Sequence, residues 1–194
     1  MLKKAAQRGF SLVELATAMT IIAILMMLGM PSFSEYINNA RLGAVAQSFY
    51  AGLNQARSEA IRLNVPVEFA MTNDPIGPGI ENSLAPDATG KSWVIRSHSV
   101  PGPVYDSPAI ETKSALEGGG STPKVTILAT APIVTFNGLG AASGVGPIAI
   151  ENPPAGACVP AGPVRCWSVI VAPGGQVRLC DPAAPFGDTR SCLP

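Results

Sequence analysis

An uninterrupted apolar stretch near the amino terminus constrains this chain more than any other feature. It runs from Phe10 to Met30, and Glu14 is its only charged residue. As a helix, its 21 residues would be about 31 Å long, enough to cross the hydrocarbon core of a bilayer. The basic residues before it are Lys3, Lys4 and Arg8. Because positively charged flanks stay in the cytoplasm, we expect the remainder of the chain to lie outside that compartment.

The start of this stretch, Gly-Phe-Ser-Leu-Val-Glu at residues 9–14, resembles the amino terminus of type IV prepilins. The resemblance implies that a prepilin peptidase cuts after Gly9 and that the new terminus, Phe10, is N-methylated. A lone carboxylate in lipid costs a few kcal/mol, so Glu14 needs a partner. The resemblance supplies one, the amine of Phe10 on a neighbouring subunit. The alternative is an ordinary signal anchor with one tolerated acid. A secretory signal peptide would instead place its cleavage site after the apolar region.

A second helical segment is predicted over residues 31–64. Gly29 and Pro31 should loosen or kink the helix where it leaves the bilayer, and the stop signal is Asn64-Val65-Pro66. Between them, apolar residues recur mainly at steps of three or four. The predicted stripe consists of Phe33, Ile37, Ala40, Ala44, Phe49, Leu53, Ala56, Ala60 and Leu63. Such a stripe needs a covering surface, and the β-rich remainder of the chain is the only candidate.

From residue 65 onward the pattern is one of short strands broken by turns. Gly and Pro total 39 of 194 residues, and apolar β-formers alternate with these breakers, which indicates ordered turns and not disorder. The predicted strands are 67–71, 92–96, 124–128, 133–137, 147–151, 166–171 and 176–180. Residues 173–175 (Pro-Gly-Gly) predict a hairpin between the last two. Residues 101–123 are interpreted as a mobile, Gly-rich linker.

All four cysteines fall in the last 37 residues: Cys158, Cys166, Cys180 and Cys192. An even number in an exported domain predicts disulfides. Of the three possible pairings we favour Cys158–Cys166 with Cys180–Cys192, because each closes a short loop. Zinc is the alternative, but the chain has no Cys-x-x-Cys pair and its only histidine, His98, is distant in sequence.

We find no catalytic constellation, so an enzyme is not expected, and neither is a metal or another cofactor. There is no nucleophile elbow and no phosphate-binding loop, and His98 reads as a surface or strand-end histidine. Residues 138–140 (Gly-Leu-Gly) resemble part of a dinucleotide fingerprint but lack a βαβ unit, so a turn is predicted. Without residues 1–9, 10 basic side chains face 13 acidic ones, which leaves no overall basic field to attract nucleic acid.

Four further segments resemble the FimT/GspH family, whose members are minor pilins of type IV pili or minor pseudopilins of type II secretion. They are residues 56–62, 134–140, 166–171 and 174–180. The resemblance implies an α+β, type IV pilin-like fold in which a long N-terminal helix packs on an antiparallel β-sheet globular domain. The predicted regions are a cleaved leader (1–9), a transmembrane and filament-core helix (10–30), its amphipathic continuation (31–64) and a globular domain with C-terminal disulfide loops (65–194).

The family resemblance implies a minor pilin that initiates a type IV pilus or sits near its tip. Before assembly it would be a single-pass protein of the bacterial inner membrane with its globular domain in the periplasm. Expected partners are the prepilin peptidase and other major and minor pilins or pseudopilins. The alternatives are a minor pseudopilin of a type II secretion system and a membrane-anchored binding module that never polymerises.

A DNA receptor for natural transformation is a further alternative. Some FimT-like proteins bind DNA through a Gly-Arg-x-Arg motif, but Gln176 replaces its first arginine in this chain. The candidate DNA contacts that remain are Arg165, Arg178 and Arg190.

Overall fold

The computed structural model describes residues 11–99, 105–106, 108–115 and 124–192, with only the backbone described for 28–32. The chain divides into two compact units, Met1–Ile37 and Asn38–Pro194. Helix α1 spans Leu12–Leu63.

In the first unit, helix α1 begins at a serine cap. The Ser11 hydroxyl accepts a hydrogen bond from the Glu14 N–H at 3.2 Å, as in the Ser-x-x-Glu capping box. Glu14 lies in the first turn, where the helix dipole favours a carboxylate. The large apolar side chains of residues 12–27 are exposed: Leu12, Val13, Leu15, Met19, Ile21, Ile22, Ile24, Leu25, Met26 and Met27.

Within the part of the chain that the structure describes, no helix combines the length and the apolar character that a membrane span requires. The predicted segment 10–30 also includes Phe10 and the side chains of residues 28–30, which lie outside the described residues.

In the second unit, the helix buries a face that differs in part from the predicted stripe. Its buried apolar side chains are Leu42, Ala46, Phe49, Leu53, Ala56 and Ala60. They follow one another at alternating steps of four and three, the spacing of a helix seam. The prediction was correct from Phe49 to Ala60. It was wrong for Ala40 and Ala44 before this part and for Leu63 after it, because all three are exposed. The step from Ala44 to Phe49 is five residues, which rotates Ala44 off this face.

The helix ends at the predicted stop. Asn64 takes the left-handed conformation with φ 54°, which often terminates helices, and Pro66 cannot continue the hydrogen-bond pattern.

Among the residues that the structure describes, nine strands follow the helix and form two sheets. They are β1 Val67–Thr72, β2 Ser92–Ser97, β3 Glu111–Lys113, β4 Thr126–Ala129, β5 Ile133–Phe136, β6 Ala142–Ser143, β7 Gly146–Glu151, β8 Trp167–Val171 and β9 Val177–Cys180, with a 3₁₀ helix at Pro153–Ala155. The five-stranded sheet has the order β3-β2-β1-β5-β6 and the four-stranded sheet the order β4-β7-β8-β9. Every pairing between these strands is antiparallel. The α+β fold class is therefore confirmed, and each predicted strand is present within two residues.

The linker interpretation of residues 101–123 is wrong at β3. Glu111–Lys113 pairs with β2, and the Ile110 N–H donates to the Ile95 carbonyl at 2.8 Å. β3 was missed because it is a three-residue edge strand with a charged residue at each end and no alternating apolar residue. The two-residue strand β6 was missed because two residues are too few to show an alternating pattern.

One hydrophobic core joins the helix to both sheets. It includes the buried helix face together with side chains of β1, β2, β4, β5, β7, β8 and β9. Phe69 lies at its centre, with its ring centroid 5.8 Å from that of Phe49 and 5.2 Å from that of Trp93. The helix segment of this unit is therefore held by burial against the sheets, the main source of helix stability in proteins.

Candidate functional site

The predicted processing residues Gly9 and Phe10 lie outside the described residues. Glu14 is described, and its side chain is exposed in the first turn of α1. Its pairing with a neighbouring subunit's amine stays a prediction.

Three of the segments that resemble the FimT/GspH family meet at one junction. The Arg57 guanidinium on the helix donates its Nε hydrogen to the Gly140 carbonyl at 3.2 Å. Gly175 of the β8–β9 turn lies against the same carbonyl, so that a Cβ there would collide with it. Gly140 and Gly175 also have φ values of 79° and 76°, a region that favours glycine. These contacts between the family-like residues therefore hold the two turns against the helix.

The Gly-Leu-Gly segment is confirmed as a turn. The Asn137 side-chain oxygen accepts hydrogen bonds from the N–H groups of Leu139 at 3.0 Å and Ala141 at 2.9 Å. The Gly140 N–H also donates to the Asn137 carbonyl at 2.8 Å. This network leaves Leu139 at the tip with its side chain 90% exposed.

Two disulfides close the predicted C-terminal loops. Cys158 pairs with Cys166 across a Cα separation of 5.5 Å, and Cys180 pairs with Cys192 across 5.0 Å. The first loop is also tied to the helix, because the Asn39 amide donates to the Pro163 carbonyl at 3.2 Å. No cysteine remains as a free thiol. Among the described residues, no group of three His, Cys, Asp or Glu side chains is placed to hold a metal.

The three candidate DNA contacts do gather around the second disulfide loop. Arg165 Nε lies 3.9 Å from Asp181 Oδ2, and the Asp181 N–H donates to the Arg190 carbonyl at 2.8 Å. Arg178 donates to the Ser191 carbonyl at 3.1 Å.

Acidic partners offset much of this positive charge. The Arg190 guanidinium donates to both oxygens of Asp188, at 3.2 and 2.9 Å. Its side-chain and backbone hydrogen bonds lower the pKa of Asp188 from 3.8 to about 2. With Asp181 beside Arg165 as well, the cluster is a weak anion site.

Sequence reasoning missed a buried polar cluster on the five-stranded sheet. Arg96 is 2% exposed, and its Nε lies 3.3 Å from Glu68 Oε2 on the neighbouring strand. His98 directly follows β2, as expected of a strand-end histidine. However, its side chain is only 11% exposed, and its Nε2 lies 3.0 Å from Glu68 Oε1. The Arg96 guanidinium carbon also lies 3.7 Å from the centroid of the Tyr105 ring.

The contacts of Tyr105 and Asp106 hold these two residues against the sheet. Burial is the main cause of the raised pKa of Tyr105. The next residue, Asp106, accepts hydrogen bonds from the hydroxyls of Ser97 at 2.6 Å and Ser99 at 2.8 Å, which lower its pKa. Glu68 and Arg96 face each other in the β1–β2 register. The only sequence signal for this cluster was a pair of opposite charges, one on each of two predicted strands. That signal can be interpreted only once the register of the strands is known.

The helix and two antiparallel sheets of the second unit define a type IV pilin-like fold. Two crystal structures of the type IV minor pilin FimU from Pseudomonas aeruginosa strain PAO1 are similar to the chain at 15% sequence identity. One has a TM-score of 0.52 and aligns over 74% of this chain and 91% of FimU. The other has a TM-score of 0.48, over 71% and 90%. At this identity the likeness concerns the fold alone.

The particular family follows from the sequence. Residues 45–175 match the model of the family described as type II transport protein GspH, and residues 4–30 match the prokaryotic N-terminal methylation motif. The chain belongs to the GspH family, which confirms the family predicted from its motifs. No curated protein matches the chain.

Proposed function

We propose that this protein is a minor pilin, a low-abundance structural subunit that initiates a type IV pilus or sits near its tip. The observation that carries the proposal is the combination of an N-terminal methylation motif at residues 4–30 and a GspH domain at 45–175 in one chain. The pilin-like fold supports it, because the same fold occurs in a protein described as a type IV minor pilin. The role is structural and not enzymatic.

In this proposal a prepilin peptidase removes residues 1–9 and exposes the Phe10 amine for methylation. The apolar side chains between Leu12 and Met27 are exposed, and lipid or the helices of other pilins would cover them. Glu14 is exposed as well, so its carboxylate is available to the Phe10 amine of a neighbouring subunit. In an apolar filament core that charge pair would be strong, and it would select one helix register.

The proposed location follows from the same features. The basic leader would stay in the cytoplasm and the helix would anchor the protein in the bacterial inner membrane. The globular domain would lie in the periplasm, an oxidising compartment in which the two disulfides persist. Assembly would then move the subunit into the filament.

Mass spectrometry of the protein extracted from its native membrane tests the processing step. We expect a chain that begins at Phe10, carries one added methyl group and contains no free thiol. Gly9→Val should abolish leader removal, whereas Glu14→Ala should still be cleaved but should not co-purify with other pilins. A native protein that retains residues 1–9 and never joins a filament would contradict the proposal.

A minor pseudopilin of a type II secretion system is the second candidate, and the family's description as a type II transport protein favours it. Deletion of the gene in its own host separates the two. Loss of surface pili with normal protein secretion supports the pilus role, and the reverse result supports the secretion role. Genomic neighbours give the same distinction, since pilus and secretion components are encoded by different gene clusters.

DNA binding receives weaker support. The three arginines gather at the second disulfide loop, but acidic groups lie beside two of them. A salt-dependent gel shift by the full-length protein in detergent, lost in Arg178→Ala, would establish it. The absence of a shift at low salt would exclude it.

A further inference from the structure

Two carboxylates bracket the apolar part of helix α1. No charged residue lies between Glu14 and Glu35, which are separated by the 20 residues 15–34. At 1.5 Å of rise per residue, the two positions are about 32 Å apart along the helix, close to the thickness of about 30 Å of the hydrocarbon core of a bilayer. Both side chains are exposed. The spacing therefore suits one carboxylate at each surface of a membrane.

Lipid is the covering that suits the helix between these carboxylates. Every side chain from residue 15 to residue 27 is exposed, on all sides of the helix. The polar side chains in this range are Thr17 and Thr20. Their hydroxyls donate to the helix's own carbonyls, that of Glu14 at 3.0 Å and that of Ala16 at 2.7 Å. Since these donors are satisfied within the helix and the helix is apolar all round, a bilayer can surround it completely.

The start of α1 fixes one boundary of the span. The Glu14 N–H bonds to the Ser11 hydroxyl at 3.2 Å, and the Leu15 N–H bonds to the Ser11 carbonyl at 3.1 Å. The N–H groups of Leu12 and Val13 precede this first intrahelical bond, so they need water. Hydrocarbon cannot supply hydrogen bonds to such groups or solvate the carboxylate of Glu14. The helix start and Glu14 therefore belong at a hydrated membrane surface and not inside the hydrocarbon.

Aromatic side chains mark the other boundary. Phe33 is 65% exposed and Tyr36 is 71% exposed, and their spacing of three places them on one face of the helix. A tyrosine suits the surface of a bilayer, because its ring contacts acyl chains while its hydroxyl reaches water. Phe33 is nearer the apolar stretch, where a ring without a polar group belongs. Together with Glu35, these side chains indicate a membrane surface at residues 33–36.

We propose that residues 15–34 of the unassembled subunit span the membrane, with Glu14 at the cytoplasmic surface and Glu35 at the periplasmic surface. The register rests on the proposed function, because only a membrane-anchored subunit has such a span. It differs from the span 10–30 expected from the sequence, in which Glu14 would lie four residues, or about 6 Å, inside the hydrocarbon.

This register changes the surroundings of the amino-terminal residues. Glu14 needs no partner in the membrane, and the Phe10 amine of a neighbouring subunit becomes its partner only in the filament. The bond after Gly9 lies on the water side of Glu14, where the water that its hydrolysis consumes is available. The basic residues of the leader lie on the same side, where they attract the anionic headgroups of the cytoplasmic leaflet.

Site-directed spin labelling of the uncleaved full-length protein measures the register. All four native cysteines are in disulfides, so a cysteine introduced at each of residues 16–33 in turn is the only free thiol for a nitroxide label. The protein is placed in vesicles of phosphatidylcholine and anionic phosphatidylglycerol. Collisions with oxygen, which concentrates in hydrocarbon, and with a nickel chelate, which stays in water, give the depth of each label. We expect the greatest depth at residues 24–25, midway between Glu14 and Glu35.

Three other outcomes would overturn the proposal. A depth maximum at residue 20 would support the span 10–30 instead. Low accessibility to both reagents would show that protein and not lipid covers the helix. Either result leaves the minor pilin role intact, because leader removal and assembly test that role separately. Labels that all collide with the chelate would show a helix outside the bilayer, which would contradict the membrane anchor as well.

Substitution of Glu14 provides a second test with the same readout. In Glu14→Leu the uncharged stretch begins after Arg8 and covers residues 9–34, so the depth maximum should move to residues 21–22. Glu14→Asp keeps the charge and should leave the maximum at residues 24–25. Circular dichroism verifies that both variants keep the helix. If the maximum of Glu14→Leu coincides with that of Glu14→Asp, the carboxylate does not set the boundary and the proposal is wrong.

Discussion

At the scale of single residues, Gly52 shows how core packing can overrule helix propensity. A Cβ at this position would lie 2.8 Å from Phe69 Cε2 and 3.0 Å from Trp93 Cζ2. Alanine in a helix interior gains roughly 0.5–1 kcal/mol over glycine, but overpacking a core costs about 1–3 kcal/mol. Gly52→Ala should therefore lower the free energy of unfolding by about 1 kcal/mol in urea titrations.

Gly43 on the same helix is the matched control. The nearest atom to a Cβ there is Trp167 Nε1 at 3.8 Å, an ordinary contact. Gly43→Ala should raise the free energy of unfolding by roughly 0.5–1 kcal/mol. Equal stabilisation by both substitutions would show that the rings do not confine position 52.

The burial of Arg96 makes its partner Glu68 important for stability. Glu68→Ala would leave the Arg96 charge uncompensated in the protein interior, and breaking such a pair costs about 3–5 kcal/mol. A large decrease in the urea midpoint is the expected result. Glu59→Ala removes the partner of the exposed Arg62 and should change the midpoint little. Similar effects of the two substitutions would contradict the importance of burial.

At the scale of elements, the stability of the loop between Cys180 and Cys192 should decrease in acid, because Asp188 becomes protonated. Its pKa in the folded protein is about 2, below its value of 3.8 without these contacts, because Arg190 hydrogen-bonds to its ionised form. The carboxylate therefore stabilises the loop above about pH 4, and this contribution is lost as the pH falls toward 2.

An NMR titration of the Asp188 carboxyl measures this effect. We expect a midpoint near 2, together with faster exchange of the Arg190 amide below it. Arg190→Gln should move the midpoint back toward the ordinary aspartate value. If the midpoint is the same in both proteins, the Arg190 contact does not hold the loop in solution.

The helix and the strands also show where the periodicity of apolar residues is sufficient to predict structure and where it is not. Predicted strands such as 67–71 and 92–96 were found because alternating apolar residues and turn residues mark them. The helix face was assigned correctly where Phe49 and Leu53 identify it. It was misassigned where alanines on several faces make the apolar signal ambiguous. Edge strand β3 has no alternating apolar pattern, because it lies at the edge of its sheet and its first and last residues are charged. The sequence therefore did not predict it.

At the scale of the whole molecule, the two disulfides should supply a substantial part of the stability. They close loops with sequence separations of 8 and 12 residues. The chain-entropy model gives about 2.5–3 kcal/mol for each, or roughly 5 kcal/mol together, against a usual domain stability of about 5–15 kcal/mol. Reductant should therefore shift the urea unfolding midpoint of the native protein strongly downward.

A variant with all four cysteines replaced by serine is the control for this experiment. It should already have the lowered midpoint and should not respond to reductant. A native protein whose midpoint is unchanged by complete reduction would show that packing alone maintains the fold.

The sequence by itself determined the helix, the longer strands, the cysteine loops and the family, because these follow from local spacing and from motifs of neighbouring residues. The tertiary structure decided which helix face is buried, that Arg96 lies beneath Tyr105, and that Arg57, Gly140 and Gly175 meet. Those features depend on strand register and on contacts between residues far apart in the chain. Such contacts depend on how the whole core packs, so no local pattern in the sequence encodes them.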